Sequence, residues 1–183
     1  VPTTPPAELS AVEKLGSANC QSYDGSKTEA AWRARARIMA SKGWSVVSLQ
    51  ESTAAGRKVM CDELKKLTGH TWKAQDLDGK TVAVIWDDTV WSARKPRGKR
   101  FGSPPTAFGH GVLIQPLLHR LTRIGVDIGS VHVRPKSIVT VAKKEADVKV
   151  IRGMTKSWPW AIAGDWCLDH PAGPGIRATP VVD

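Results

Sequence analysis

The sequence lacks any apolar run long enough to cross a membrane, since no window approaches the roughly 18 uninterrupted apolar residues of a transmembrane helix. Its first residues, VPTTPPAELS, have neither the basic segment nor the apolar core of a signal peptide. These absences predict a soluble chain. Residues 1–14 are Pro/Thr-rich and begin at Val1, which is typical of a linker and predicts processing from a longer protein. Residues 15–183 are expected to form one domain.

Cysteine is scarce. Cys20, Cys61 and Cys167 are odd in number and show no Cys-x-x-Cys spacing, which argues against a disulfide framework and a structural zinc site. The sequence therefore predicts reduced thiols and a reducing compartment or a virion-associated location.

Acidic residues are also few, with 17 Asp and Glu against 27 Lys and Arg, for a formal net charge of +10. This excess predicts a polyanionic partner, either nucleic acid or another phosphorylated polyanion. The stretch RKPRGKR is broken by Gly and Pro and predicts a basic loop over residues 94–100, which is either a solvated loop or a contact surface for phosphates. The candidate nucleic-acid-binding residues are Arg94, Lys95, Arg97, Lys99, Arg100 and Arg134.

Hydrophobic periodicity predicts strands that alternate with helices. The strands are expected within 15–23, 44–51, 80–88, 90–94, 111–118, 121–135 and 158–167. The helices are expected at about 27–42, 53–68 and 138–156, the first with a capping box of Ser26 and Glu29 and the second ending at Gly69. The segments at 80–88 and 90–94 are expected to pair as a hairpin. The pattern predicts an α/β or α+β layered domain.

Polar residues stand where four of these strands end. Asn19, Glu51, His132 and Asp165 each follow or close an apolar run, and all four could meet at one rim of a sheet. Carboxylate oxygens suit Mg²⁺, an imidazole can stabilise a phosphoryl group, and a carboxylate can orient an attacking water. The set predicts a divalent-metal phosphodiester site.

The order of the segments SANCQ, WRARARI, VVSLQE, SVHVRP and AIAGDW, over about residues 15–170, resembles the endonuclease/exonuclease/phosphatase superfamily, which includes deoxyribonuclease I. The resemblance implies a two-sheet β-sandwich flanked by helices. It implies that Glu51 is the ligand of Mg²⁺ or Mn²⁺ and that Asn19 supports the metal or the phosphate. His132 would contact the scissile phosphate, and Asp165 would orient or deprotonate the water.

The sequence departs from the family pattern in two places. Cys167 stands where the family has Asn after Gly-Asp-aromatic, and a thiol is a weak donor and a soft ligand. A nucleophilic Cys167 with His170 as its base is the alternative interpretation. The family's later Ser-Asp-His segment is not found, because the similar letters LDHP at 168–171 follow Asp165 too closely. Either the last strands are absent from this sequence or the chemistry has been lost.

Three functions remain open on this evidence. The first is a metal-dependent phosphodiester hydrolase, nuclease-like in its action on nucleic acid. The second is a catalytically silent domain of the same fold that serves as a structural or binding module, with protein partners, in a larger assembly such as a phage particle. The third is a lipid or inositol phosphate phosphatase, because basic charge also suits those headgroups.

Overall fold

The computed structural model describes residues 13–20, 28–77, 82–101, 109–134, 140–154 and 159–165. The helices are α1 (Glu29–Lys42), α2 (Ala54–Thr68) and α3 (Val141–Gly153). The strands are β1 (Lys14–Asn19), β2 (Trp44–Gln50), β3 (Trp72–Asp76), β4 (Val82–Asp87), β5 (Trp91–Ala93), β6 (Arg97–Arg100), β7 (Gly111–His119), β8 (Gly125–His132) and β9 (Trp160–Asp165).

The strands form two sheets. The first sheet has the order β1-β2-β4-β3, and the second has the order β5-β7-β8-β9, with β6 also paired to β7. Each sheet contains one parallel pair, β1 with β2 and β8 with β9, while the remaining pairs are antiparallel. The predicted two-sheet α+β architecture is confirmed.

Alternation along the strands divides the apolar side chains among three layers of core. Between the two sheets lie Val46, Val84, Trp86, Leu113, Leu117 and Ile128. On the outer face of the first sheet, α1 and α2 contribute Trp32, Met39, Met60 and Leu64 to a cluster with Leu49 and Ile85. On the outer face of the second sheet, Ile151 of α3 packs with Val112, Ile114 and Val131. The layers run helices, sheet, sheet, helix.

The helix ends follow their capping residues. Gly69 ends α2 with a left-handed φ of 74°, as predicted, because glycine adopts this conformation without a Cβ clash. The start of α1 differs from the prediction. Its N-cap is Thr28, whose side chain accepts a hydrogen bond from the Ala31 N–H, and Ser26 lies outside the described residues.

The chain between β4 and β7 also differs from the prediction. The hairpin of β4 and β5 is wrong, because β2 and β3 already occupy both edges of β4, and β5 pairs with β7 in the other sheet. The predicted basic loop contains strand β6, which pairs along β7. Pro116 of β7 lies where β6 gives way to β5, so its missing N–H costs no ladder hydrogen bond to a β6 or β5 partner.

Three further sequence predictions concern membrane-spanning helices, the cysteines and the residues near the two ends of the chain. No helix in the described ranges combines the length and apolar content needed to span a membrane. Cys20 and Cys61 form no disulfide with one another or with any other described residue. Residues 1–12, Cys167 and His170 lie outside the described residues.

Candidate active site

The ends of β1, β2, β8 and β9 bring four polar side chains together. The Asn19 amide donates to Glu51 Oε1 at 3.2 Å and to Asp165 Oδ2 at 3.1 Å, so it bridges the two carboxylates. His132 Nε2 lies 3.6 Å from Glu51 Oε1. One ligand atom from each of Glu51, His132 and Asp165 lies within 4.8 Å of the others. The four residues that the sequence places at strand ends therefore share one site.

Glu51 is held in an unusual backbone conformation between β2 and α2. It is fully buried and has a φ of 51°, a left-handed value that non-glycine residues rarely adopt. The next residue is anchored, because Arg57 donates to the Ser52 carbonyl at 2.7 Å and pairs with Asp76 at 2.5 Å. Burial lowers the pKa of Arg57, although Asp76 opposes that shift. A strained residue fixed by its neighbours is typical of functional sites.

Asp165 and His132 are direct neighbours on the parallel strands β9 and β8. Gly164 precedes Asp165 with a φ of 153°, and a Cβ at this position would overlap the Val131 carbonyl. A glycine is needed here because the two backbones approach closely. This close approach delivers the carboxylate to the rim occupied by His132.

Buried hydrogen bonds join the two sheets just behind the site. Ser130 Oγ donates to the Leu49 carbonyl at 2.7 Å and accepts from Gln50 Nε2 at 3.1 Å. Ser48 Oγ donates to the Gly129 carbonyl at 2.8 Å. Because Gln50 precedes Glu51 and Ser130 lies two residues before His132, these bonds fix the two sides of the site relative to each other.

A second histidine, which the sequence analysis missed, belongs to the site. The His110 and His132 rings are 4.5 Å apart between centroids. Burial, together with the charges of His132 and Arg134, lowers the pKa of His110 to about 4. His110 immediately precedes β7, whose first residue pairs with His132 at the end of β8. Its sequence signal is a polar residue directly before an antiparallel strand, because the start of such a strand lies beside the end of its neighbour.

The predicted basic residues fall into two groups. Arg94, Lys95, Lys99 and Arg100 are exposed. Two others form ion pairs with buried carboxylates: Arg97 with Asp127, and Arg134 with Asp147 at 3.0 and 2.8 Å. Contact of these six residues with nucleic acid stays a prediction.

The donor set fits a divalent cation such as Mg²⁺ or Mn²⁺. Two carboxylates approach a common point, where their charges repel unless a cation balances them. Burial lowers the pKa of His132, with Asp165 opposing, so this imidazole is neutral at neutral pH and available as a ligand. Its buried Nδ1 has no hydrogen-bond partner among the described residues. Carboxylate oxygens suit Mg²⁺, and an added imidazole also suits Mn²⁺.

Comparison with solved structures finds the same fold. The chain resembles an endonuclease/exonuclease/phosphatase from Bacteroides vulgatus, with a TM-score of 0.66 and 8% identity over 84% of this chain and 64% of the other. It also resembles D. rerio TDP2 complexed with a single-strand DNA product, with a TM-score of 0.58 and 16% identity over 85% and 61%. A third match is the mannosyl-6-phosphatase of Bacteroides thetaiotaomicron, with a TM-score of 0.60 and 11% identity over 76% and 57%.

The other two comparisons were negative: no protein-family model matches the chain, and no curated protein matches it significantly. The chain spans less than two thirds of the length of the three structures above. These structural matches show that the chain has the fold of endonuclease/exonuclease/phosphatase proteins.

Proposed function

We propose that the chain is a metal-dependent phosphodiester hydrolase that acts on nucleic acid. The observation that supports this most strongly is the convergence of Glu51, His132 and Asp165 within 4.8 Å, with Asn19 bridging the carboxylates. Two carboxylates that share one neutral donor form a poor structural contact but a good cation site, because like charges at short range destabilise the fold unless they are balanced.

The residues divide the chemistry among them. Glu51 and Asp165 would hold Mg²⁺ or Mn²⁺ with support from Asn19, and the bound ion would supply charge stabilisation for the phosphoryl oxygens. Asp165 would also orient the attacking water and accept its proton. The water oxygen forms a bond to phosphorus, the bond to the leaving oxygen breaks, and solvent protonates that oxygen. The neutral His132 would donate its N–H to a phosphoryl oxygen, while its other ring nitrogen stays available to the ion.

Nucleic acid is the proposed substrate because of the positive charge. The chain carries a net charge of +10, and three exposed basic residues, Arg94, Lys95 and Arg100, lie on or beside β6, which belongs to the same sheet as His132 and Asp165. D. rerio TDP2 has been seen with a single-strand DNA product. The mannosyl-6-phosphatase among the neighbours makes a phosphomonoester the comparison substrate for the assay.

The test is a plasmid-nicking assay with Mg²⁺ and with Mn²⁺, on wild type and on Glu51→Gln. The substitution removes a buried charge with little change in shape, so we expect nicking to fall at least about a hundredfold. Glu145→Gln is the matched control, because Glu145 is exposed on α3. We expect this variant to nick like wild type.

The outcomes separate the open functions. A folded wild type that releases phosphate from p-nitrophenyl phosphate but leaves plasmid intact would favour a phosphomonoesterase. A folded wild type that does neither, with either metal, would contradict the proposal and favour a silent module. Circular dichroism of each variant confirms folding before activity is compared.

A further inference from the structure

We propose that Arg100 binds a phosphate of the polynucleotide next to the reacting one, so that the nucleic-acid strand lies along the rim of the second sheet from Asp165 toward Arg100. This inference rests on the proposed function and names one residue that distinguishes a polynucleotide from a small phosphodiester.

The first argument is the strand register. Arg100 pairs with Gly111, Gly111 with His132, and His132 with Asp165. The four residues thus lie on one line across β6, β7, β8 and β9. Neighbouring strands are about 4.8 Å apart, which puts the α carbons of Arg100 and His132 about 10 Å apart. An arginine side chain can bridge this distance to a phosphate that neighbours the one at His132.

The second argument is the face of the sheet. Directly paired residues point to the same side, and His132 points toward the first sheet because it contacts Glu51. Arg100 therefore shares the face of the site. Gly111 carries no side chain, and a Cβ there would overlap the Leu77 side chain at 2.8 Å, so among the described residues an apolar side chain covers the sheet between Arg100 and His132.

The other cations of β6 point the opposite way. Lys99 pairs with Val112, and Arg97 pairs with Ile114; both partners belong to the cluster under α3 on the outer face. Arg97 also forms an ion pair with the buried Asp127. Of the three cations on this strand, the register therefore assigns Arg100 to the substrate side.

The experiment compares Arg100→Gln with Lys99→Gln, since each variant removes one positive charge from an exposed position of the same strand. KM is measured for a short single-stranded oligonucleotide and for bis(p-nitrophenyl) phosphate. We expect Arg100→Gln to raise the ratio of the KM for the oligonucleotide to the KM for bis(p-nitrophenyl) phosphate about fivefold or more. In Arg100→Lys this ratio should lie between the values for wild type and for Arg100→Gln. We expect Lys99→Gln to change the ratio less than about twofold.

A binding measurement keeps the inference testable if the proposed hydrolysis fails. Fluorescence anisotropy of the same oligonucleotide, in EDTA over a range of salt concentrations, reports binding alone. We expect Arg100→Gln to weaken binding and to lower the salt slope by about one, and Lys99→Gln to leave the slope as in wild type. Equal effects of the two variants on slope and KM ratio would overturn the assignment. Absence of hydrolysis by wild type would overturn the proposed function, and the anisotropy measurement would then still decide whether Arg100 contacts a phosphate of the bound strand.

Discussion

Ser130→Ala should lower the free energy of unfolding far more than removal of a serine hydroxyl from an exposed strand position. Ser130 is fully buried between the sheets, donates to the Leu49 carbonyl and accepts from Gln50 Nε2. The substitution leaves the buried Gln50 amide without this acceptor and the carbonyl without this donor.

The magnitude follows from the cost of buried groups that lose their partners, about 1–3 kcal/mol. We expect the free energy of unfolding to fall by about 2 kcal/mol. Replacing Gln50 by Met as well removes the stranded amide. The double variant should therefore be more stable than the sum of the two single changes predicts, with a coupling energy of about 1 kcal/mol.

The assay is urea unfolding followed by tryptophan fluorescence, with unchanged m-values as evidence that only stability has changed. Ser92→Ala is the control, because Ser92 is half-buried on β5 and donates to the Leu118 carbonyl at 3.3 Å. We expect this control to lie within about 0.5 kcal/mol of wild type. If Ser130→Ala matches the control, or if the double variant is additive, these bonds do not join the sheets as argued.

Two further predictions concern packing and thiol reactivity. Gly56→Ala should lower the free energy of unfolding in urea by about 1–3 kcal/mol, because a Cβ there would overlap the Trp32 indole on α1. Gly153→Ala in α3 has open space for the added methyl group and should raise the free energy of unfolding by up to about 1 kcal/mol. Effects of the same sign would refute the packing argument. Burial raises the pKa of Cys61 to about 11 from 9.0, so at pH 8 its reactive thiolate should be about a hundredfold scarcer than in the unfolded chain. Iodoacetamide labelling, read on the Cys61 peptide by mass spectrometry, should accelerate as pH rises toward 11; native and urea-unfolded chains labelling equally fast at pH 8 would contradict it.

The sequence predicted the fold well because its signals are local. Apolar runs predicted seven of the nine strands in the described residues, and Gly69 ended α2 at the predicted residue. The other two, β3 (Trp72–Asp76) and β6 (Arg97–Arg100), contain no apolar run and were not predicted. The turn residues between β4 and β5 do not show which sheet the next strand joins, and the predicted hairpin of β4 with β5 was therefore wrong. Which edges are already occupied depends on pairings between residues far apart in the chain.

The candidate site was predictable in part for the same reason. Asn19, Glu51, His132 and Asp165 stand at the ends of strands, and parallel pairs bring such ends together. His110 was missed because it comes before an antiparallel strand, where the start of one strand meets the end of another. The assignment of Arg100 to one face of the sheet and of Lys99 and Arg97 to the other depends on the strand register, which the sequence pattern does not show.

The central claim is that the rim at Glu51 binds a divalent cation, and calorimetric titration of Mn²⁺ into the purified chain tests it most directly. The account predicts saturable binding to one site in wild type and in Glu145→Gln, and loss of that binding in folded Glu51→Gln. Absence of binding in folded wild type, or binding that Glu51→Gln leaves unchanged, would contradict it.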